Sequence, residues 1–177
     1  LPPSPGNEEA ANDATITVTA PDNDAQSIIL SDNDITVDEN GSTSITARLA
    51  FEPLAGATEV VTFTSSDTDI LTVTASVTFT ASNYHLTQNV IFSGTDDLDV
   101  LDERETVTGV SSVGSTPSVT VTATVTDDDI QSILVVLPAT DPAEVNEEGT
   151  AINNITVRLE FDPSITQAVN ITSLDPD

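Results

Sequence analysis

The sequence predicts an all-β protein, built of Ig-like, seven-stranded antiparallel β-sandwich repeats in tandem. Three observations carry that expectation. Long stretches alternate apolar residues with threonine: Leu71, Val73, Ala75, Val77 and Phe79 face one way, and Thr72, Thr74, Thr78 and Thr80 the other. Val119, Val121, Ala123 and Val125 alternate with Thr120, Thr122, Thr124 and Thr126 in the same way. A period of two gives a strand one buried and one solvated face, and β-branched, polar Thr suits the solvated one. No segment carries helical periodicity. Finally, the chain repeats itself at a spacing of roughly a hundred residues.

Within one repeat the strands are expected at 34–38, 43–50, 59–65, 70–80, 85–93, 105–110 and 118–126. The first ends in the turn Glu39-Asn40-Gly41, where Asn and Gly tolerate the left-handed backbone a tight reversal requires. The third ends at Ser65-Ser66-Asp67, and the fifth leads into the acidic stretch from Asp96 to Glu105. The seventh runs out into Asp127-Asp128-Asp129.

The self-similarity sets the expected boundaries. Gln26-Ser27-Ile28 returns as Gln131-Ser132-Ile133, and Phe51-Glu52-Pro53 as Phe161-Asp162-Pro163. Ile45-Thr46-Ala47-Arg48-Leu49 returns as Ile155-Thr156-Val157-Arg158-Leu159. Val61-Thr62-Phe63-Thr64-Ser65 matches Val169-Asn170-Ile171-Thr172-Ser173, and Asp67 and Asp69 reappear as Asp175 and Asp177. Residues 1–24 then read as the final strand of a preceding repeat, 25–129 as a complete repeat and 130–177 as the first half of the next. A half sandwich exposes sheet edges and an apolar face, so a longer parent chain is expected. The alternative is strand donation between subunits, with Thr15–Ala20 completing a neighbour.

Composition narrows the function classes. There are 30 Asp and Glu against three Arg and no Lys, a formal charge of −27. Such a balance repels nucleic acid and anionic membranes and attracts cations. With no Cys, disulfides and thiolate chemistry are excluded. No stretch is long and apolar enough to span a membrane, and no basic-then-apolar leader opens the sequence, so an export signal is expected outside it. His85 stands without a Ser or Cys nucleophile in a catalytic context, and a carboxylate-pair glycosidase would need sugar-stacking aromatics, of which the chain has few. An enzyme is not expected.

Counting strands gathers the acids. If successive strands run up and down, Asp38, Glu39, Asp67, Asp69, the 96–105 stretch and Asp127–Asp129 all fall at one end. The loops 51–58, 81–84 and 111–117 at the other end contain only Glu52. Crowded carboxylates must either take up protons or bind cations. Oxygen donors on flexible loops, without His or Cys, suit Ca²⁺ better than Mg²⁺, zinc or copper. Asp32-Asn33-Asp34, with Asp22 and Asp24, either adds ligands at the junction or forms a plain turn. Asn40, Asn154 and Asn170 open glycosylation sequons.

These motifs resemble the Calx-β domain. The resemblance lies in Glu39-Asn40-Gly41, Thr64-Ser65-Ser66-Asp67, the run Asp96-Asp97-Leu98-Asp99 through Asp102-Glu103-Arg104-Glu105, and Val125-Thr126-Asp127-Asp128-Asp129. It implies Ca²⁺ ligands at Glu39, Asp67, Asp97 or Asp99, Asp102, Glu105, Asp127, Asp128 and Asp129, which makes nine candidates. Cadherin-like repeats are a second resemblance, through Asp22-Asn23-Asp24 and Leu101-Asp102-Glu103-Arg104-Glu105.

The expected function is a non-enzymatic extracellular stalk, adhesin or filament segment at a cell surface, stiffened by Ca²⁺ between repeats. Its expected partners are neighbouring repeats of the same polypeptide, further copies in a fibre, and a surface or host ligand. A regulatory Ca²⁺-sensing module is one alternative, and an acidic, halophilic-type spacer without a metal site is another.

Overall fold

The computed structural model describes residues 16–21, 23–54, 56–137, 155–163 and 165–172. Asp22, Asp141, Asn154, Asp175 and Asp177 lie outside them. The described residues are all-β, without a helix. Nine strands build the main body: β1 (Ile28–Leu30), β2 (Asp34–Asp38), β3 (Ser42–Leu49), β4 (Glu59–Ser65), β5 (Leu71–Val73), β6 (Ser76–Phe79), β7 (Gln88–Gly94), β8 (Glu103–Ser111) and β9 (Val119–Thr126). A four-stranded sheet has the order β1-β3-β7-β5, and a five-stranded sheet the order β2-β9-β8-β4-β6.

The inward positions of both sheets meet in one apolar core, giving the body a sandwich-like character. Ile45, Ala47, Leu49, Leu71, Val90 and Phe92 come from the first sheet; Val37, Val61, Phe63, Val77, Phe79, Val107, Val121, Ala123 and Val125 come from the second. Each buried Val, Leu or Phe stabilises the fold by about 1.5–3 kcal/mol through removal of apolar surface from water.

The structure departs from the expected elements at several places. The stretch 70–80 is two strands, because the chain changes sheets at Thr74-Ala75. Leu71–Val73 pairs with β7 and Ser76–Phe79 with β4, and Ala75 at the crossing is exposed. The stretch 28–38 likewise divides into β1 and β2. Asp32 turns the chain between them, its Oδ1 accepting the N–H groups of Asn33 (2.7 Å) and Asp34 (3.1 Å). β2 pairs with β9 in parallel, so the sheets are not wholly antiparallel. Since β1–β2 and β5–β6 are each one pass along the body and passes alternate, the first and last run the same way. The strand expected from 85 begins at Gln88 instead. Asn83 winds the preceding turn, accepting the Thr80 N–H at 2.6 Å on its side chain, which leaves His85 outside the ladder against the Tyr84 ring.

Beyond β9, β10 (Ile133–Val136) pairs with β11 (Thr156–Leu159). This ribbon repeats the β1–β3 pairing: Ile28 opposes Leu49, and Ile133 opposes Leu159. Residues 16–21 and 165–172 carry no strand.

Candidate metal centre

Strand register brings the acidic segments together. Ser42 opposes Ser93, Asp38 opposes Thr126, Glu103 opposes Val125 and Leu71 opposes Gly94. The turns that follow or precede these residues therefore share one pole.

The turn after β2 is held from three sides. The Glu39 N–H donates to the Thr126 carbonyl (3.0 Å), Gly41 N–H to the Asp38 carbonyl (2.9 Å) and Gly94 N–H to the Gly41 carbonyl (3.2 Å). Asn40 takes the left-handed backbone (φ 55°) and donates its side-chain amide to Asp96 Oδ1 at 2.7 Å. A Cβ on Gly94 would lie 2.6 Å from the Asp38 carbonyl oxygen, so only glycine allows β7 to end against this turn. The result fixes Glu39 pointing into the pole.

Glu39 is 3% exposed. Neither of its carboxylate oxygens has a hydrogen-bond partner, and the same is true of Glu103 Oε2 and Asp127 Oδ2. Buried carboxylates are ordinarily satisfied, because an ion stripped of water without compensation is costly. Around Glu39 three groups of carboxylates each place one oxygen per residue within 4.8 Å: Glu39, Asp96 and Asp128; Glu39, Asp97 and Asp127; and Asp97, Asp99 and Glu103. Glu39 and Asp97 each belong to two groups.

The electrostatic consequence is clear. Burial, and then the negative charges of Asp97, Asp127, Glu103 and Asp96, push the Glu39 carboxyl up from 4.5 to about 7. Glu103 is raised by burial and then by Asp97, Asp99 and Asp127. Asp129 is raised by desolvation and then by Asp127, Asp96, Asp128 and Asp97. Arg104 brings no relief. It alternates to the opposite face of β8 from Glu103 and approaches Asp34 at 3.9 Å. Among the described residues the centre has no positive side chain.

Of the nine residues named from sequence, the structure brings Glu39, Asp97, Asp99, Asp127 and Asp128 into the three groups. Asp129 sits beside them, its N–H donating to Asp127 Oδ1 at 2.8 Å. Asp102 caps instead, accepting the Asp127 N–H at 3.0 Å. Asp67 winds its own turn by accepting the Asp69 N–H at 2.9 Å. Glu105 accepts a hydrogen bond from the Ser66 hydroxyl. None of these three falls in a group of clustered oxygens.

Asp96 and Glu103 were missed as candidate ligands. Extending the period-two pattern of β8 backwards from Val107 through Glu105 reaches Glu103 on the same inner face, a signal the sequence does contain. Asp96 is placed by its contact with Asn40, far away in sequence, and nothing local marks it.

The opposite pole is not acid-free inside. Glu59, the first residue of β4, is fully buried and accepts hydrogen bonds from Ser111 Oγ (2.6 Å) and Thr116 Oγ1 (2.8 Å). No protein-family model matches the chain, and no curated protein matches it.

Proposed function

We propose that this pole binds Ca²⁺, and that the chain is a segment of a Calx-β-like array of tandem Ig-like sandwich repeats serving as an extracellular stalk or adhesin. The observation that carries the metal reading is the Glu39 carboxylate, buried with both oxygens unpartnered inside overlapping groups of carboxylates. A bound cation supplies the missing partner and keeps the carboxylates ionised at neutral pH.

The donors are carboxylates on loops and strand ends, hard ligands in an adaptable arrangement, which favours Ca²⁺ over the stricter octahedron of Mg²⁺. Glu39, Asp96, Asp97, Asp99, Glu103, Asp127 and Asp128 would hold the ions. What the metal supplies is charge neutralisation and cross-linking of the β2–β3, β7–β8 and post-β9 segments, a mechanical role rather than a reaction. The array reading is supported by the ribbon β10–β11, which repeats both the sequence and the pairing of β1–β3.

Thermal unfolding of the full chain, with excess chelator and with Ca²⁺, tests the metal reading. Ca²⁺ at a hundred times its Kd should add about 2.7 kcal/mol to stability, raising Tm by several degrees. An unchanged Tm contradicts it.

A further inference from the structure

The geometry points to a docking surface on the outer side of the acidic loop 96–102, whose partner is the Phe161-Asp162-Pro163 corner of the following β-ribbon; this inference rests on the metal reading above. Two Asx turns shape the loop: Asp97 Oδ1 accepts the Asp99 N–H (2.8 Å), and Asp99 Oδ1 accepts the Leu101 N–H (2.8 Å). Both aspartates also belong to the carboxylate groups of the metal centre. The side chains that gather around an ion are therefore those that set the path of the backbone between them. That backbone includes Leu98, a residue that is 75% exposed and whose carbonyl accepts the Asp162 N–H at 2.8 Å.

The partner corner is preorganised. Gln131 donates its side-chain amide to the Phe161 carbonyl (2.9 Å) and accepts the Phe161 N–H on Oε1 (3.2 Å). Both polar backbone groups of Phe161 are thus taken, and the next N–H, that of Asp162, is presented to the loop. The same clamp exists at the other pole of the main body, where Gln26 donates to the Phe51 carbonyl (2.8 Å) and accepts the Phe51 N–H (3.0 Å). There the corner borders an open cleft of about 750 Å³ lined in part by Leu54, Tyr84 and Val113. The two Gln-clamped corners are alike in geometry, and the second of them meets the acidic loop of the main body.

Ion loading then fixes the Leu98 carbonyl, and the fixed carbonyl seats the following ribbon. By linkage, seating the ribbon must tighten ion binding by the same factor. Because the chain has no Cys, the pair Thr72→Cys and Thr156→Cys takes spin labels uniquely, on exposed positions of β5 and β11. In the otherwise native chain, Ca²⁺ narrows the distribution of distances between the labels. Asp162→Pro removes the donor N–H, abolishes the narrowing and weakens Ca²⁺ binding by about fivefold, the equivalent of one hydrogen bond. Asp162→Asn keeps the N–H and keeps both effects. Gln131→Ala keeps the N–H but releases the corner, and shows the same losses in smaller measure. Calorimetric Ca²⁺ binding without narrowing, or identical behaviour of the Pro and Asn variants, overturns the docking surface alone. Absence of Ca²⁺ binding overturns it together with the metal reading.

Discussion

Two glutamates are buried at opposite poles of the same sandwich-like body, and they are treated differently. Glu59 is 1% exposed and is met by the hydroxyls of Ser111 and Thr116, with the Gln26 amide 3.4 Å away. Glu39 is equally inaccessible, yet no protein donor reaches it and further carboxylates surround it. The protein satisfies one carboxylate from its own side chains and leaves both oxygens of the other without a protein partner. An acid count alone cannot separate them; the difference lies in which partners each strand register delivers.

The largest expected effect breaks the self-sufficient pole. Glu59→Ala strands two buried hydroxyls at about 1–3 kcal/mol each, so chemical denaturation should show a loss of about 3 kcal/mol, the same with Ca²⁺ as with chelator. Glu39→Gln should act in the opposite sense. It removes a buried charge, so the ion-free protein gains stability. Ca²⁺ affinity in calorimetry falls at least about tenfold, about 1.4 kcal/mol.

A pH series sharpens the contrast. The folded ion-free state holds the Glu39 proton more tightly than the unfolded chain does. The contribution of Glu39 to stability is therefore fully present below pH 4.5, is lost as pH rises towards about 7 and levels off above it. Tm measured in chelator should fall across that window in the native chain, with a smaller fall in Glu39→Gln. The smallest effect is local. Asn40→Ala forces an alanine into the left-handed region, at about 1 kcal/mol in unfolding experiments, whereas Asn40→Gly keeps the turn.

Much of this was legible in the sequence, for identifiable reasons. Val/Thr alternation located the longer strands such as β4, β8 and β9, and counting strand directions placed the acids at one pole. Sheet changes were hidden, because Thr74-Ala75 continues the alternation that a straight strand would show while the chain crosses to the other sheet. β1 was hidden because three residues carry too little periodicity. At the centre, the period-two pattern of β8 contained Glu103, whereas a motif resemblance alone pointed to Glu105, which the Ser66 hydroxyl holds. Asp96 depends on a contact with Asn40, and Glu59 on hydroxyls more than fifty residues away in sequence; neither long-range partner is written locally.

Glu39 is the residue on which the proposed cation site turns. With its carboxyl raised to about 7, the proposed Ca²⁺ binding near neutral pH is expected to displace protons from Glu39. Calorimetric titration of Ca²⁺ into the chain, in two buffers of different ionisation enthalpy, measures that proton directly. The expected result is release of a fraction of a proton at pH 7, smaller at pH 9 and reduced in Glu39→Gln. Heats independent of buffer at pH 7, or no binding heat at all, contradict cation binding at Glu39.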